Sequence, residues 1–140
     1  SEADAATPIF VTRLAPNADT STTGTWTPST GATNIGVTAG TYDNATYTQE
    51  ATPSSGDNVV TEVNNLATQL GLTPGVVRGG TVHSYSSGTN LQGFASIRDS
   101  GGSYTNGSTV TPDQNDTTYA YGTSTGLTGS STINVKYEVV

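Results

Sequence analysis

The sequence predicts an all-β domain, a single antiparallel β-sandwich of jelly-roll or Greek-key order with long polar loops. Only 31% of the 140 residues are hydrophobic and 11% are charged. Thr, Val and Tyr, which favour pleated and half-buried surfaces, recur along the chain. Seven or eight short strand candidates are separated by turns rich in Gly, Pro, Asn and Asp, a pattern typical of sandwiches.

The N-terminal half begins with an arm and continues in weak strands. Residues 1–8, SEADAATP, are small and acidic and predict an extended N-terminal arm, which leaves residues 9–140 for the sandwich domain. Strand candidates follow at IFVTRL (Ile9–Leu14), TNIGVT (Thr33–Thr38) and TYDNATYTQE (Thr41–Glu50). Because these strands are short, the sandwich that they predict has a thin core.

The single Trp of the chain lies in a polar stretch, Arg13–Asn34, that predicts a loop. Gly24, Pro28 and Gly31 punctuate this stretch and exclude a long regular element. An indole in such a loop can fold back over an open end of a thin core. We therefore interpret Trp26 as a structural plug. The alternative interpretation is an exposed Trp at an interface.

The segment DNVVTEVNNLATQLGLTPG (Asp57–Gly75) fits two patterns. Apolar residues at Val59, Val63, Leu66 and Leu70 follow a helical stripe, with Gly71 as a stop, whereas the run VVTEV favours a strand. We expect a strand over Val59–Val63 and then a loop or helical turn that contains Leu66 and Leu70.

The second half carries clearer strands. Candidates lie at Gly75–Ser87, with a Gly-Gly bulge, and at Leu91–Asp99, Thr117–Gly122 and Ser131–Val140, while Asp99–Ser108 is dense in turn residues. The last candidate alternates most regularly. Its predicted inward residues are Ile133, Val135, Tyr137 and Val139, and its predicted outward residues are Asn134, Lys136 and Glu138.

Charge limits the partners of the chain. The net charge is −7, and the four cations, Arg13, Arg78, Arg98 and Lys136, are scattered along the sequence. Four scattered cations cannot neutralise a run of phosphates, so we expect no nucleic acid partner and no membrane partner. The chain has no Cys, which excludes a disulfide framework and a thiolate metal site.

No motif predicts catalysis or a cofactor. His83 is the single His, and no nucleophile elbow accompanies it, so we assign no catalytic residue and expect that the chain is not an enzyme. Asp113–Asp116 and Tyr42–Asn44 could offer oxygen ligands to a structural calcium ion. Asp and Asn also close turns through their own backbone, and we favour that interpretation, with no metal and no cofactor.

Several motifs together resemble a recurring module of virion structural proteins from tailed bacteriophages. The matching positions run from about Leu14 to Leu127 and are Pro16–Asp19, Trp26, Asn44–Tyr47, Gly56–Asp57, Ser100–Tyr104 and Thr117–Tyr121. The chain departs from the pattern at Asn64–Leu72, which looks like an insertion, and at its plain C-terminal strand. The resemblance implies a non-enzymatic β-sandwich on a virion.

The function implied is that of a capsid decoration (cement) protein on the outer surface of the phage head, made in the host cytoplasm. Its partners would be the major capsid protein, copies of itself, or both, and the resemblance also implies a homotrimer. We expect interface residues at Ile9, Phe10 and Val11, next to the arm, and at Tyr104, which we expect to be exposed in its Gly-rich turn. The alternatives are a fibre-borne host- or carbohydrate-binding module and a self-assembling cell-surface filament or adhesin subunit.

Overall fold

The structure, a computed structural model, describes residues 16–28, 48–71, 76–83, 92–99, 102–111, 117–125 and 131–140. In chain order these residues form β1 (Ala18–Thr23), β2 (Trp26–Pro28), β3 (Thr48–Glu50), β4 (Asn58–Val63), α1 (Leu66–Leu70), β5 (Val76–His83), β6 (Gly93–Asp99), β7 (Thr105–Asn106), β8 (Thr117–Thr125) and β9 (Ile133–Val139). The described part is thus mostly β, and its strands pair antiparallel without closing a barrel, which confirms the predicted all-β class.

The described strands form three sheets. The largest has the order β1-β4-β9-β6-β7, and two smaller sheets pair β2 with β3 and β5 with β8. The C-terminal strand β9 lies in the middle of the large sheet. It pairs with β4 from Asn58↔Glu138 to Val63↔Ile133 and with β6 along the whole of Gly93–Asp99. The large sheet therefore joins segments that are far apart in sequence.

The ambiguous central segment resolves as we expected. Strand β4 carries VVTEV, and the short helix α1 follows with Leu66 and Leu70. Asn65 before the helix and Gly71 after it adopt left-handed backbone conformations, at φ 52° and 73°. Glycine adopts such a conformation at little steric cost, so Gly71 ends the helix as predicted.

The core is small and lies on one face of the large sheet. Its buried cluster contains Val63, Leu66, Ala95, Ile97 and Ile133, with Leu70 and Val135 packed against it. Leu66 from α1 is 2% exposed and covers residues of β4, β6 and β9. The short helix thus contributes one buried side chain to the core beside three strands.

Two expectations from the sequence are wrong. The polar stretch predicted as a loop contains β1 and β2, because its Thr-rich segment ADTSTT pairs with β4. Asn134, predicted to point outward into solvent, is 3% exposed, because side chains from β4 and β6 cover it on the polar face of the sheet. Of the predicted inward residues, Ile133 and Val139 are buried and Val135 and Tyr137 are half-buried, as are the predicted outward residues Lys136 and Glu138.

Other strand predictions are confirmed or extended. The register of β5 against β8 shifts between Arg78 and Gly80, at the predicted Gly-Gly bulge. Strand β8 runs on to Thr125, three residues past its predicted end at Gly122. The turn-rich segment Asp99–Ser108 also contains the two-residue strand β7, which pairs with β6.

Several expectations fall outside the described residues. They concern the arm at residues 1–8, the strands Ile9–Leu14 and Thr33–Thr38, and all of Thr41–Glu50 except β3. Within the part of the chain that the structure describes, no helix has the length and apolar character needed to cross a membrane.

Replacing Leu66 by Ala should destabilise the domain by about 2–5 kcal/mol, because it opens a cavity under three strands. Leu70→Ala makes the same chemical change in the same helix at a half-buried position and should cost clearly less. Chemical denaturation of both variants measures the difference. Equal losses would contradict the placement of Leu66 at the centre of the core.

Candidate functional site

A row of polar side chains crosses three strands on the face of the large sheet opposite the core. The register places Asn134 of β9 beside Glu62 of β4 on one side and Arg98 of β6 on the other. Arg98 Nε donates to Asn134 Oδ1 over 3.1 Å, and Asn134 Nδ2 donates to Glu62 Oε1 over 3.3 Å. The buried amide thus links a cation to a carboxylate through one hydrogen-bonded row.

Tyr104 lies over this row. Its ring centroid is 4.4 Å from Arg98 Cζ and 4.3 Å from Lys136 Nζ, within the range of cation–π contacts. Lys136 also pairs with Glu138 Oε1 at 3.1 Å. Two of the four cations in the chain therefore converge on one aromatic ring. Tyr104 is half-buried and less accessible than we expected from its Gly-rich turn.

The Tyr104 phenol is neutral at physiological pH. Burial raises its pKa above its ordinary value; Arg98 opposes this shift and Glu62 adds to it. The two cations therefore interact with the face of a neutral ring rather than with a phenolate.

Hydrogen bonds hold the chain on both sides of Tyr104, between β6 and β7. Gly102 N–H donates to the Asp99 carbonyl over 3.0 Å, and Arg98 Nη1 donates to the Gly102 carbonyl over 3.4 Å. A Cβ at Gly102 would overlap Asp99 Oδ1, so a glycine lets the turn close there. Ser96 Oγ, bonded to Asn106 Oδ1 at 2.7 Å, fixes the returning strand.

A second polar cluster joins Glu50 and Asp57. Thr25 N–H donates to Glu50 Oε1 over 2.7 Å, and Ser54 N–H donates to Asp57 Oδ2 over 2.8 Å. Burial raises the pKa of the Glu50 carboxyl above its ordinary value; the Thr25 N–H opposes this shift and the Asp57 carboxyl adds to it. We did not predict this pair from the sequence. In the sequence, the pair is visible as two acidic residues that flank the turn-rich loop ATPSSG.

The remaining predicted site residues are placed as follows. Trp26 begins β2, is half-buried, and donates from Nε1 to the Thr23 carbonyl over 3.0 Å; its role as a plug stays a prediction. Ile9, Phe10 and Val11 lie outside the described residues, as do Asp113–Asp116 and Tyr42–Asn44. His83 ends β5, where its backbone is paired with Thr117.

The polar row connects neighbouring strands by side-chain hydrogen bonds, and the Glu50–Asp57 pair is a site where a carboxyl group can hold a proton. Among residues that the structure describes, no group of three or more His, Cys, Asp or Glu side chains could hold a metal ion. The carboxylates near Tyr104 are both engaged: Glu62 accepts a hydrogen bond from Asn134, and Glu138 pairs with Lys136.

Tyr104→Ala should destabilise the domain by about 1–2 kcal/mol, because both cations lose the ring face. Tyr104→Phe keeps that face and should stay within about 0.5 kcal/mol of the natural chain. Urea unfolding of the two variants tests the expectation. If Phe costs as much as Ala, the hydroxyl group and not the ring supplies the stabilisation.

Comparison with known proteins gives no relative: no protein-family model matches the chain, and no curated protein and no solved structure shows significant similarity to it. The resemblance to virion proteins of tailed bacteriophages therefore rests on the sequence motifs alone.

Proposed function

We propose that this chain is a non-enzymatic structural component of a virion, a decoration protein that binds the outer surface of a phage head and stabilises the shell. Its fold in this proposal is a single antiparallel β-sandwich of jelly-roll or Greek-key order. The motifs from Pro16 to Tyr121 supply the virion assignment. The polar row of Glu62, Asn134 and Arg98 is the structural observation that supports a mechanical role.

That row supports the proposal because it ties neighbouring strands together across the sheet. Backbone pairing already joins β4, β9 and β6. The side-chain bonds from Arg98 through Asn134 to Glu62 add a second connection across the same strands, and Tyr104 covers it. Deforming the sheet would leave a buried amide and two charges unpaired, which is costly.

The edges of the large sheet favour a discrete particle over an open polymer. Among the described strands, the edge strand β1 has an irregular register between Asp19 and Ser21, and on the other side of the sheet β8 lies against β6 and the two-residue strand β7. Bulges and very short strands are two ways in which proteins prevent edge-to-edge association. These features support decoration over the filament or adhesin alternative.

The proposed contact with the capsid uses the N-terminal segment. Extended termini bind neighbours by draping over them or by adding strands, and Ile9, Phe10 and Val11 give this one apolar anchors. Tyr104, which is half-buried, is the second proposed contact residue. The partners are the major capsid protein and further copies of this chain, with a trimer as the proposed assembly.

Sedimentation of the purified chain with tailed-phage heads tests the proposal. We expect a discrete species by light scattering that co-sediments with the heads at a fixed ratio to capsid subunits. Deleting residues 1–8 should lower the occupancy, because it removes the arm, while thermal unfolding of the variant matches that of the full chain.

Other outcomes would overturn the proposal. A chain that ignores heads but binds glycans would indicate the fibre-borne module, and open-ended polymers would indicate the filament subunit. Full occupancy after deletion of residues 1–8 would remove the arm from the interface.

A further inference from the structure

The small sheet β2–β3 meets the large sheet at a joint built from two chain segments. The pair β1–β4 ends at Thr23↔Asn58, and the pair β2–β3 begins at Trp26↔Glu50. Gly24 and Thr25 connect the two pairs on one side, and residues 51–57 connect them on the other. We call these connecting segments, together with Glu50, the joint.

Two carboxyl groups, those of Glu50 and Asp57, lie side by side at the joint. Glu50 ends β3, and Asp57 comes directly before β4. Gly24, at φ +106°, lies against both: a Cβ there would overlap Glu50 Oε1 and would lie 2.8 Å from Asp57 Cγ. Two acidic groups therefore share the space beside one glycine.

The two sides of the joint are anchored differently. The loop side is bound to the large sheet, because Gly56 N–H donates to the Val139 carbonyl and Val139 N–H donates to the Asp57 carbonyl, each over 2.8 Å. Glu50 belongs to the small sheet and accepts the Thr25 N–H through Oε1 at 2.7 Å. The Glu50–Asp57 contact thus connects β3 to a segment that is fixed on the large sheet.

One oxygen at the joint has no partner. Glu50 Oε2 is buried and makes no hydrogen bond, whereas Oε1 is engaged by Thr25. A buried carboxylate oxygen without a donor is unfavourable, and the negative charge of Asp57 beside the Glu50 carboxyl makes ionisation of Glu50 costlier still. A proton on Glu50 lowers both penalties and gives this carboxyl an O–H that can donate to Asp57.

Among the side chains that the structure describes, no cation acts on the Glu50 carboxyl. Asp57 is the charged group that faces Glu50 from the loop before β4. The described residues of β2, the Gly24–Thr25 link and the loop 51–56 contain no titratable side chain. Glu138 of β9, which pairs with Asn58, is engaged by Lys136.

We propose that the joint is a proton-operated latch. With a proton on Glu50 Oε2, Glu50 donates to Asp57 and β2–β3 is held against the large sheet. Without that proton, the two carboxylates repel each other and the joint loosens. This inference does not depend on the virion proposal.

The direction of the pH dependence follows from the Glu50 pKa, which burial and Asp57 raise above the ordinary value of 4.5. The folded chain then holds this proton more tightly than the unfolded chain does. The contribution of this proton to the free energy of unfolding is complete below pH 4.5 and is lost as the pH rises through the raised Glu50 pKa.

Trp26 is the reporter for this latch. It is the single Trp of the chain, it pairs with Glu50 in the β2–β3 register, and it follows Thr25 directly. We expect its emission, recorded from about pH 4 to about pH 8, to shift to longer wavelength in one transition as the pH rises. Far-UV circular dichroism should stay unchanged over that range, since the large sheet remains folded.

Three variants test whether the proton on Glu50 causes the Trp26 transition. Glu50→Gln keeps an acceptor for Thr25 and places an amide donor toward Asp57, so it should abolish the transition and keep the low-pH emission throughout. Asp57→Asn removes the repelling charge and should move the transition to lower pH. Glu62→Gln, the same change as at Glu50 but on the polar row, should leave the transition unchanged.

A flat Trp26 profile in the natural chain, or a transition that survives in Glu50→Gln, would overturn the proposal. So would an equal effect of Glu62→Gln. Repeating the titration with calcium chloride, at ionic strength matched with sodium chloride, separates a proton from a cation. If calcium alone closes the joint at neutral pH and no transition occurs without it, the pair is a cation site and the latch is wrong.

Discussion

The pairing of the C-terminal strand β9 between β4 and β6 is the interaction on which the rest of the large sheet depends. The core cluster draws Val63, Ile97 and Ile133 from these three strands, and Leu66 covers them from α1. In the described sheet β4 and β6 are not paired with each other and are joined through β9. Because the paired segments are distant in sequence, the sheet can form only after long loops have closed, and such pairing is intrinsically slow to fold.

The two faces of β9 show how a chain poor in apolar residues fixes a single register. One face packs Ile133 into the core, and the other buries Asn134 between Arg98 and Glu62. A slip of one residue would exchange these faces, placing an amide in the core and an isoleucine among charges. Polar pairing thus helps to specify the register on the face opposite the core cluster.

The joint at Glu50 differs from the rest of the described structure in what holds it. The large sheet has a core on one face and a satisfied polar row on the other, whereas the small-sheet side of the joint is held by the Glu50 carboxyl, through the Thr25 N–H and the neighbouring Asp57. Regions with few buried apolar contacts open at lower free energy than core strands. The small sheet that carries Trp26 is therefore where pH can act without unfolding the domain.

The sequence by itself determined the all-β class, the strands β4, β6 and β9 and the bulge in β5, because alternation, Gly and β-branched residues act locally. After β4 it left a loop or a helical turn open, and the structure has the helix α1 there. The sequence could not reveal that ADTSTT pairs as an edge strand, since a polar Thr-rich segment becomes a strand only when a neighbour such as β4 offers its backbone. Nor could it bring Tyr104 over Arg98 and Lys136, or Glu50 beside Asp57. Those contacts follow from strand order and register across the sheet, and these are properties of the tertiary structure.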